Sequence, residues 1–223
     1  MRGLIVALVV CLCGFADAQT PPSQSEVGSY DGLFLAAHEG DVPALRQLLE
    51  EGANLADRDG RGRTAVHIAA FASRDAALRV LAEAGADMNA RDGQAYDVVT
   101  ISAVANNPEL MSLAIRLGNS PGLTTSPYDG TALIAAAHLG HVEIVKRLIA
   151  AGAPLDHINN LHWTAVMEAV VLGDGGENHL AVLDALLSAG ADRSLADQNG
   201  VTPLQHAIAR GYTRMADRLR QGD

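Results

Sequence analysis

Apolar residues recur along the chain in short clusters with the spacing of a helix. Three of these clusters place their members at i, i+3 and i+4, namely Leu45, Leu48 and Leu49, then Ile144, Val145, Leu148 and Ile149, then Val182, Leu183, Leu186 and Leu187. This spacing aligns the apolar side chains along one face of a helix. The pattern therefore predicts amphipathic helices that bury one face against their neighbours.

Two further series show that the helices belong to a repeat. A glycine ends each of five segments, at Gly52, Gly85, Gly118, Gly152 and Gly190, with intervals of 33, 33, 34 and 38 residues. A threonine opens an apolar stretch 12 or 13 residues after four of these glycines, at Thr64, Thr131, Thr164 and Thr202. Threonine suits a helix N-cap and glycine a left-handed C-cap, and Asp31 and Asp97 suit the same N-cap position. The two series in phase predict a repeat of about 33 residues.

The motifs within this period resemble those of the ankyrin repeat family. That family opens its unit with Thr-Pro-Leu-His-x-Ala, places Gly-His between two antiparallel helices and closes with Gly-Ala-Asp before a hairpin-like loop. The corresponding positions are the stretch from Thr202 to Ala207, His67, Gly140-His141, Gly85-Ala86-Asp87 and Gly190-Ala191-Asp192. The resemblance implies an all-α fold, an ankyrin repeat solenoid of six helix-turn-helix repeats joined by hairpin-like loops. The expected units are residues 31–63, 64–96, 97–130, 131–163, 164–201 and 202–223.

The first 18 residues have the pattern of a secretory signal peptide. Arg2 precedes an apolar run from Leu4 to Phe15, and Ala16-Asp17-Ala18 is a small-x-small cleavage site. The run is shorter than the roughly 20 residues that cross a bilayer, which disfavours a permanent membrane anchor. Both cysteines, Cys11 and Cys13, lie inside this segment. Residues 19–30 are polar and are expected to form a flexible lead-in.

Two repeats depart from the others. The third replaces the opening motif with the stretch from Asp97 to Ser102 and carries Asn106-Asn107-Pro108 at its helix junction. The fifth carries extra length at residues 173–178, between its two helices, where polar glycine-rich chain is tolerated at a solvent edge. Drift or function would each explain these departures.

Composition and charge narrow the classes of partner. Aromatic residues make up 4% of the chain, which favours helices packed through small side chains over a β-sandwich. The net charge of -10 opposes binding to phosphate backbones, so no nucleic-acid partner is expected. We expect a monomer that makes no membrane contact once the signal is removed.

Eight histidines raise the question of a metal or catalytic site. The repeat accounts for His67 and His141, and His38 and His138 share one place at the end of a first helix. His157 and His162 lie in one loop beside Asp156, but their spacing matches no closed set of zinc ligands. We expect no catalytic residue, metal or cofactor. The alternative is a metal-dependent hydrolase that uses His157, His162 and either Asp174 or Glu177.

The variable surface positions of the array are the expected partner-binding residues. Those at loop tips are Arg58, Arg61, Arg63, Arg91, Tyr96, Tyr128, His162 and Trp163, and those on the first helices are Phe71, His138 and Leu139. Arginine and large aromatic side chains are enriched at binding hot spots. The alternative is that each aromatic ring only packs on the neighbouring loop.

A non-catalytic protein-binding module of the periplasm fits these observations best. The export signal, the short array and the stretch from Asp92 to Asp97 resemble the small exported ankyrin proteins of proteobacteria, some of which are associated with periplasmic catalase and oxidative-stress defence. That resemblance implies a catalase-like enzyme as the protein partner. An immunity protein against a periplasmic toxin and a secreted effector are the alternatives.

Overall fold

The computed structural model describes residues 19–221, most of which form short helices. Their bounds are α1 Gln24–Val27, α2 Gly32–Glu39, α3 Val42–Glu50, α4 Ala65–Phe71, α5 Asp75–Glu83, α6 Val98–Val104, α7 Pro108–Arg116, α8 Ala132–Leu139, α9 Val142–Ala150, α10 Ala165–Val171, α11 Glu177–Ser188, α12 Pro203–Ala209 and α13 Thr213–Arg220. Two strands of two residues each, β1 Thr124–Thr125 and β2 Gly130–Thr131, pair antiparallel in the loop before α8. None of the helices within the described residues is both long and apolar enough to cross a membrane.

The helices from α2 onwards pack as consecutive pairs that form two layers. The first helices of the pairs (α2, α4, α6, α8, α10 and α12) contact one another in chain order, and the second helices lie behind them. The predicted apolar faces fill the space between the layers, where Leu45, Ile144, Leu148 and Leu183 are fully buried. Because each pair contacts mainly its neighbours, the core is one continuous strip along the array.

Side-chain caps begin the first helices as the sequence predicts. The hydroxyl oxygens of Thr131, Thr164 and Thr202 accept the backbone N–H three residues later, and the carboxylate of Asp97 does the same for Thr100. Asp31 stands at the N-cap of α2 but makes no side-chain cap. The predicted side-chain capping is therefore confirmed in these four helices, and Asp31 occupies its predicted N-cap position without a side-chain hydrogen bond.

The periodic glycines end the second helices in the left-handed conformation. Gly85 has φ +90° and Gly152 has φ +82°, values that a β-carbon disfavours. After each, the next N–H returns to a carbonyl of the last helical turn, as in Ala86 to Leu81 and Ala153 to Leu148, both at 2.9 Å. This closing turn reverses the chain toward the following loop.

Three of the second helices, α5, α9 and α11, are tied to the pair before them through a carbonyl at the end of a first helix. Arg74 donates to the carbonyl of His38 (2.9 Å), and His141 donates to that of Ala103 (2.8 Å). In the lengthened unit His179 donates to the carbonyl of His138 at 2.9 Å. The extra residues are thus absorbed without loss of this contact.

The insert after α10 is held by the last helix pair. The hydroxyl of Tyr212 donates to the carbonyl of Gly173 at 3.1 Å. The backbone of Gly175 lies so close to the Tyr212 ring that an added β-carbon would stand 2.5 Å from it. The insert is therefore packed and not a free loop.

The expectation of a flexible lead-in is wrong for residues 23–30. Ser23 and Glu26 form a capping box around α1, and the Glu26 carboxylate pairs with Arg63 at 2.7 Å. Tyr30 packs against Phe34, and its hydroxyl group donates a hydrogen bond to the carboxylate of Asp59. Polar composition did not reveal the contacts to Asp59 and Arg63, because these residues lie 29 positions after Tyr30 and 37 positions after Glu26. The predicted signal peptide, with Cys11 and Cys13, lies outside the described residues.

Candidate protein-binding surface

Five loops between the helix pairs share one geometry. In each, a side-chain oxygen five residues before the N-cap accepts two backbone N–H groups of its own loop, at distances of 2.8 to 3.3 Å. We number the loops in chain order. The accepting residues of the first to the fifth loop are, in that order, Asp59, Asp92, Ser126, Asn159 and Asp197. The repeat motifs do not point to this position, although Asp, Asn or Ser at a fixed distance before the N-cap is a signal for it in the sequence.

The tips of the first four loops form a continuous surface. Backbone hydrogen bonds join each loop to the next, from Gly93 to Arg61 (2.8 Å), from Ser126 to Ala95 (3.2 Å) and from Asn160 to Tyr128 (3.0 Å). The residue three positions after each accepting side chain has positive φ, and in the second and fourth loops it is Ala95 and His162. Backbone geometry therefore places the loop-tip side chains side by side.

The arginine end of this surface is already engaged within the protein. Arg63, expected at an exposed tip, is 1% exposed and pairs with Asp59 and Glu26, each at 2.7 Å. The expectation that Arg63 binds a partner is therefore wrong, since the residue before the N-cap is covered by α1. Arg61 also pairs with Glu26 (3.0 Å), and Arg58 donates to the carbonyl of Arg91 in the next loop.

Hydrogen bonds and charge set the protonation of this cluster. Hydrogen bonds from Ser23, and then the charge of Arg63, lower the pKa of Glu26 to about 2. Burial and the hydrogen bond to Asp59 raise the pKa of Tyr30 well above its usual range. The cluster therefore holds a buried cation between two carboxylates at neutral pH.

The aromatic end is more open. Tyr128 is 44% exposed at the tip of the third loop, and His162 is exposed in the fourth. Trp163 and Tyr96 are half-buried, at the same loop position that Arg63 occupies. Trp163 thus contacts its surroundings and also presents part of its indole to solvent.

Exposed apolar side chains are concentrated in the same half of the chain. Within residues 19–221, the large hydrophobic side chains that stand out into solvent are Tyr128, Leu139, Ile158, Leu161, Leu172 and Ile208. Tyr128, Ile158 and Leu161 belong to the third and fourth loops, and Leu139 and Leu172 lie at the ends of α8 and α10. Five of these six side chains therefore belong to the units of α8 and α10 and form an apolar grouping that spans both ends of these two helices. Exposed apolar side chains concentrated on one part of a surface are typical of an interaction site.

The first helices add a buried acidic group that none of the sequence motifs indicates. Glu168 interrupts the apolar run of α10 and is 4% exposed. Asn159 donates to its Oε1 at 3.1 Å, and the half-exposed His138 ring has its Nδ1 3.6 Å from Oε2. Burial raises the pKa of Glu168 to about 7 and lowers the pKa of His138. A lone Glu in an apolar helical run was the available signal.

The remaining predicted positions differ in how far their side chains are buried. Phe71 is half-buried and packs against the core, whereas Leu139 is 42% exposed. His67 is fully buried, accepts the N–H of Thr64 at Nδ1 (3.1 Å) and donates from Nε2 to the carbonyl of Tyr96 (3.0 Å). Burial lowers the pKa of His67, which keeps the ring neutral.

The structure separates the groups that the hydrolase alternative requires. His157 lies in the loop before α10 and contacts the carbonyl of Asp129. Asp174 and Glu177 lie beyond the end of α10, where they pair with His179 and Arg214 respectively. The two sets therefore lie at opposite ends of a helix about 10 Å long. Within residues 19–221 no group of three or more His, Cys, Asp or Glu side chains is placed to hold a metal ion.

Comparison with known proteins agrees with this architecture. The family described as "Ankyrin repeats (3 copies)" matches residues 5–92 and 100–197. The ankyrin repeat protein YahD of Escherichia coli (strain K12) is 35% identical over 188 residues, covering 83% of this chain and 92% of YahD.

Solved structures show the same fold. The crystal structure of an ankyrin repeat domain from Acinetobacter baumannii superposes with a TM-score of 0.78 at 40% identity, covering 84% of this chain and 95% of that domain. A chain in the complex of a predatory endopeptidase from Bdellovibrio bacteriovorus with its immunity protein has a TM-score of 0.69 at 20% identity, covering 87% of this chain and all of that one. The predicted all-α repeat fold is confirmed.

Proposed function

Because the chain belongs to the ankyrin repeat family, we propose that it is a non-catalytic scaffold that binds a protein partner through the third and fourth loops and the adjoining first helices. The observation that carries the proposal is the exposed apolar grouping around Tyr128, Leu139, Leu161 and Leu172. Ankyrin arrays are interaction modules, and no catalytic family is indicated for this chain. At the other end, Arg58, Arg61 and Arg63 have internal partners, so the aromatic end is the more available contact area.

Truncation of the two central aromatic side chains tests the surface. Trp163→Ala should weaken partner binding by about 2 kcal/mol, roughly thirtyfold, because half-buried aromatic anchors carry much of an interface's energy. Tyr128→Ala should cause a smaller loss, and the double variant should show coupling if both rings enter one pocket. Calorimetry with the purified partner measures each loss.

Lys146→Ala is the matched control, since Lys146 is exposed on α9 in the second layer of helices. Its affinity should equal that of the native protein. Native affinity in both aromatic variants would move the binding surface elsewhere, to the insert at residues 173–178.

We propose that the scaffold acts in the periplasm after export. The motivation is the signal-peptide pattern of residues 1–18, with cleavage between Ala18 and Gln19. The intact mass of the exported protein should correspond to a chain that starts at Gln19. Cell fractionation separates the periplasm from release into the medium, which would favour a secreted effector. A mature N-terminus before residue 11 would contradict the proposal.

The partner is proposed to be a periplasmic enzyme of oxidative-stress defence, on the resemblance to exported proteobacterial ankyrin proteins. An immunity role against a periplasmic toxin is the second candidate, since the Bdellovibrio complex contains the same fold. A photo-crosslinking amino acid at Tyr128, activated in living cells, would capture the partner for mass spectrometry. The same amino acid at Lys146 is the control, and a catalase-like or toxin-like product decides between the two candidates.

A further inference from the structure

Glu168 has an unsatisfied oxygen beneath the proposed binding surface. Its Oε1 accepts a hydrogen bond from Asn159, but within residues 19–221 its buried Oε2 has no hydrogen-bond partner. A buried polar atom without a partner costs free energy, and such atoms are rare in folded proteins. The vacant oxygen is therefore available to a donor that the chain itself does not supply.

The half-exposed side chain of His138 lies beside this oxygen. The Nδ1 atom of His138 lies 3.6 Å from Oε2, beyond hydrogen-bond distance, and the His138 side chain is 49% exposed. Its position in the last turn of α8, next to the exposed Leu139, places it at the rim of the apolar grouping. A rotation of the His138 side chain would remove this neighbour from Oε2.

Acidic residues outnumber basic ones in the part of the chain that contains α8 and α10. From residue 117 to residue 192 the basic residues are Lys146 and Arg147, and both lie on α9 in the second layer of helices. The loop residues Asp129 and Asp156 are exposed and acidic. Opposite charge across an interface speeds association and favours the correct partner, so this end of the surface suits a cation.

We propose that the surface recognises a basic segment of its partner, in which a Lys or Arg side chain flanked by apolar residues displaces His138 and donates to Oε2 of Glu168. The flanking apolar side chains would lie against Leu139 and against Leu172, which is four residues beyond Glu168 at the end of α10. This inference rests on the proposed scaffold function and specifies the chemistry of the partner. The raised pKa of Glu168 agrees with a carboxyl group that lacks a compensating cation.

Short synthetic peptides of equal length test the proposal. One carries Leu-Arg-Leu at its centre, the second replaces the arginine with uncharged citrulline, and the third replaces it with glutamate. Fluorescence anisotropy with the native protein should show the arginine peptide binding about tenfold or more tightly than the citrulline peptide, and no binding of the glutamate peptide. Equal binding of the first two peptides, or binding of none, would overturn the inference.

Glu168→Gln identifies the acceptor, because it keeps the size of the side chain and removes the charge. This variant should lose the preference for arginine over citrulline, while its melting temperature at pH 8 stays at or above that of the native protein. Glu50→Gln, at an exposed position on α3, should keep the full preference. An unchanged preference in Glu168→Gln would contradict the assignment of Glu168 as the acceptor. The proposed scaffold function is tested separately by crosslinking at Tyr128.

Discussion

At the scale of single residues, Glu168 couples stability to pH. Its pKa is about 7 in the folded protein and near 4.5 in the unfolded chain, so the folded state binds the proton more tightly. The stabilisation is complete below pH 4.5 and is lost as pH rises toward 7. Since one pKa unit corresponds to about 1.4 kcal/mol, the loss is up to about 3 kcal/mol.

Glu168→Gln should remove this dependence and raise stability at pH 8. Urea denaturation of the native protein and the variant at pH 5 and pH 8 measures it. The lowered pKa of His138 acts in the opposite direction, because a neutral imidazole in the folded state gains stability as pH rises toward 6.5. Comparison of the two proteins cancels most of that contribution. Parallel pH profiles would contradict the prediction.

Ala95 is a second residue that affects stability, because its backbone conformation is unfavourable for a residue with a β-carbon. It has φ +65° at the loop position where the first and fifth loops carry Gly62 and Gly200. A left-handed conformation costs a residue with a β-carbon about 1 kcal/mol. Ala95→Gly should therefore stabilise the protein by up to about 1 kcal/mol, measured by urea denaturation. Ala76→Gly, on the exposed face of α5, should lose stability instead.

At the scale of elements, α1 serves as the cap of the array. Glu26 supplies one of two carboxylates to Arg63, whose side chain is 1% exposed. A hydrogen bond between charged groups contributes about 1.5 to 3 kcal/mol, so Glu26→Gln should reduce the free energy of unfolding by about that amount. Because the pKa of Glu26 is lower in the folded protein than in the unfolded chain, this contribution is present above pH 4.5 and is lost as pH falls toward 2.

Urea denaturation at pH 7 and pH 3 measures the effect of Glu26→Gln, and hydrogen exchange of residues 23–30 shows whether α1 has detached. Glu39→Gln, at an exposed position ending α2, is the control and should behave as the native protein does. Full protection of α1 in the Glu26 variant would show that Tyr30 and the loop backbone hold the segment without the ion pair.

At the scale of the whole molecule, stability depends on contacts between neighbouring helix pairs. Leu148 is fully buried on α9 between the layers. Leu148→Ala should destabilise the protein by about 2 to 5 kcal/mol, as expected for a large-to-small core substitution. Because each pair contacts mainly its neighbours, unfolding should begin at one end and broaden the transition. Circular dichroism with urea checks this, and Leu139→Ala, which removes a half-exposed side chain, should change little.

The sequence by itself determined the helices, their period and most of their ends. Thr131, Thr164 and Gly152 act locally, since a cap satisfies groups within one helical turn and a left-handed glycine ends the helix that contains it. The periodic leucines determined which faces are buried because the repeat itself supplies the covering neighbour. The fold could therefore be predicted from short-range pattern.

Only the tertiary structure decided which surface residues remain free. Arg63 and Trp163 occupy the same loop position in different units. Arg63 is buried because α1 covers it, whereas Trp163 remains half-exposed. The contact between His138 and Glu168 likewise joins residues 30 apart through the packing of α8 against α10. Exposure and pKa depend on what covers a side chain, and in this array the covering groups come from neighbouring units whose variable residues follow no period.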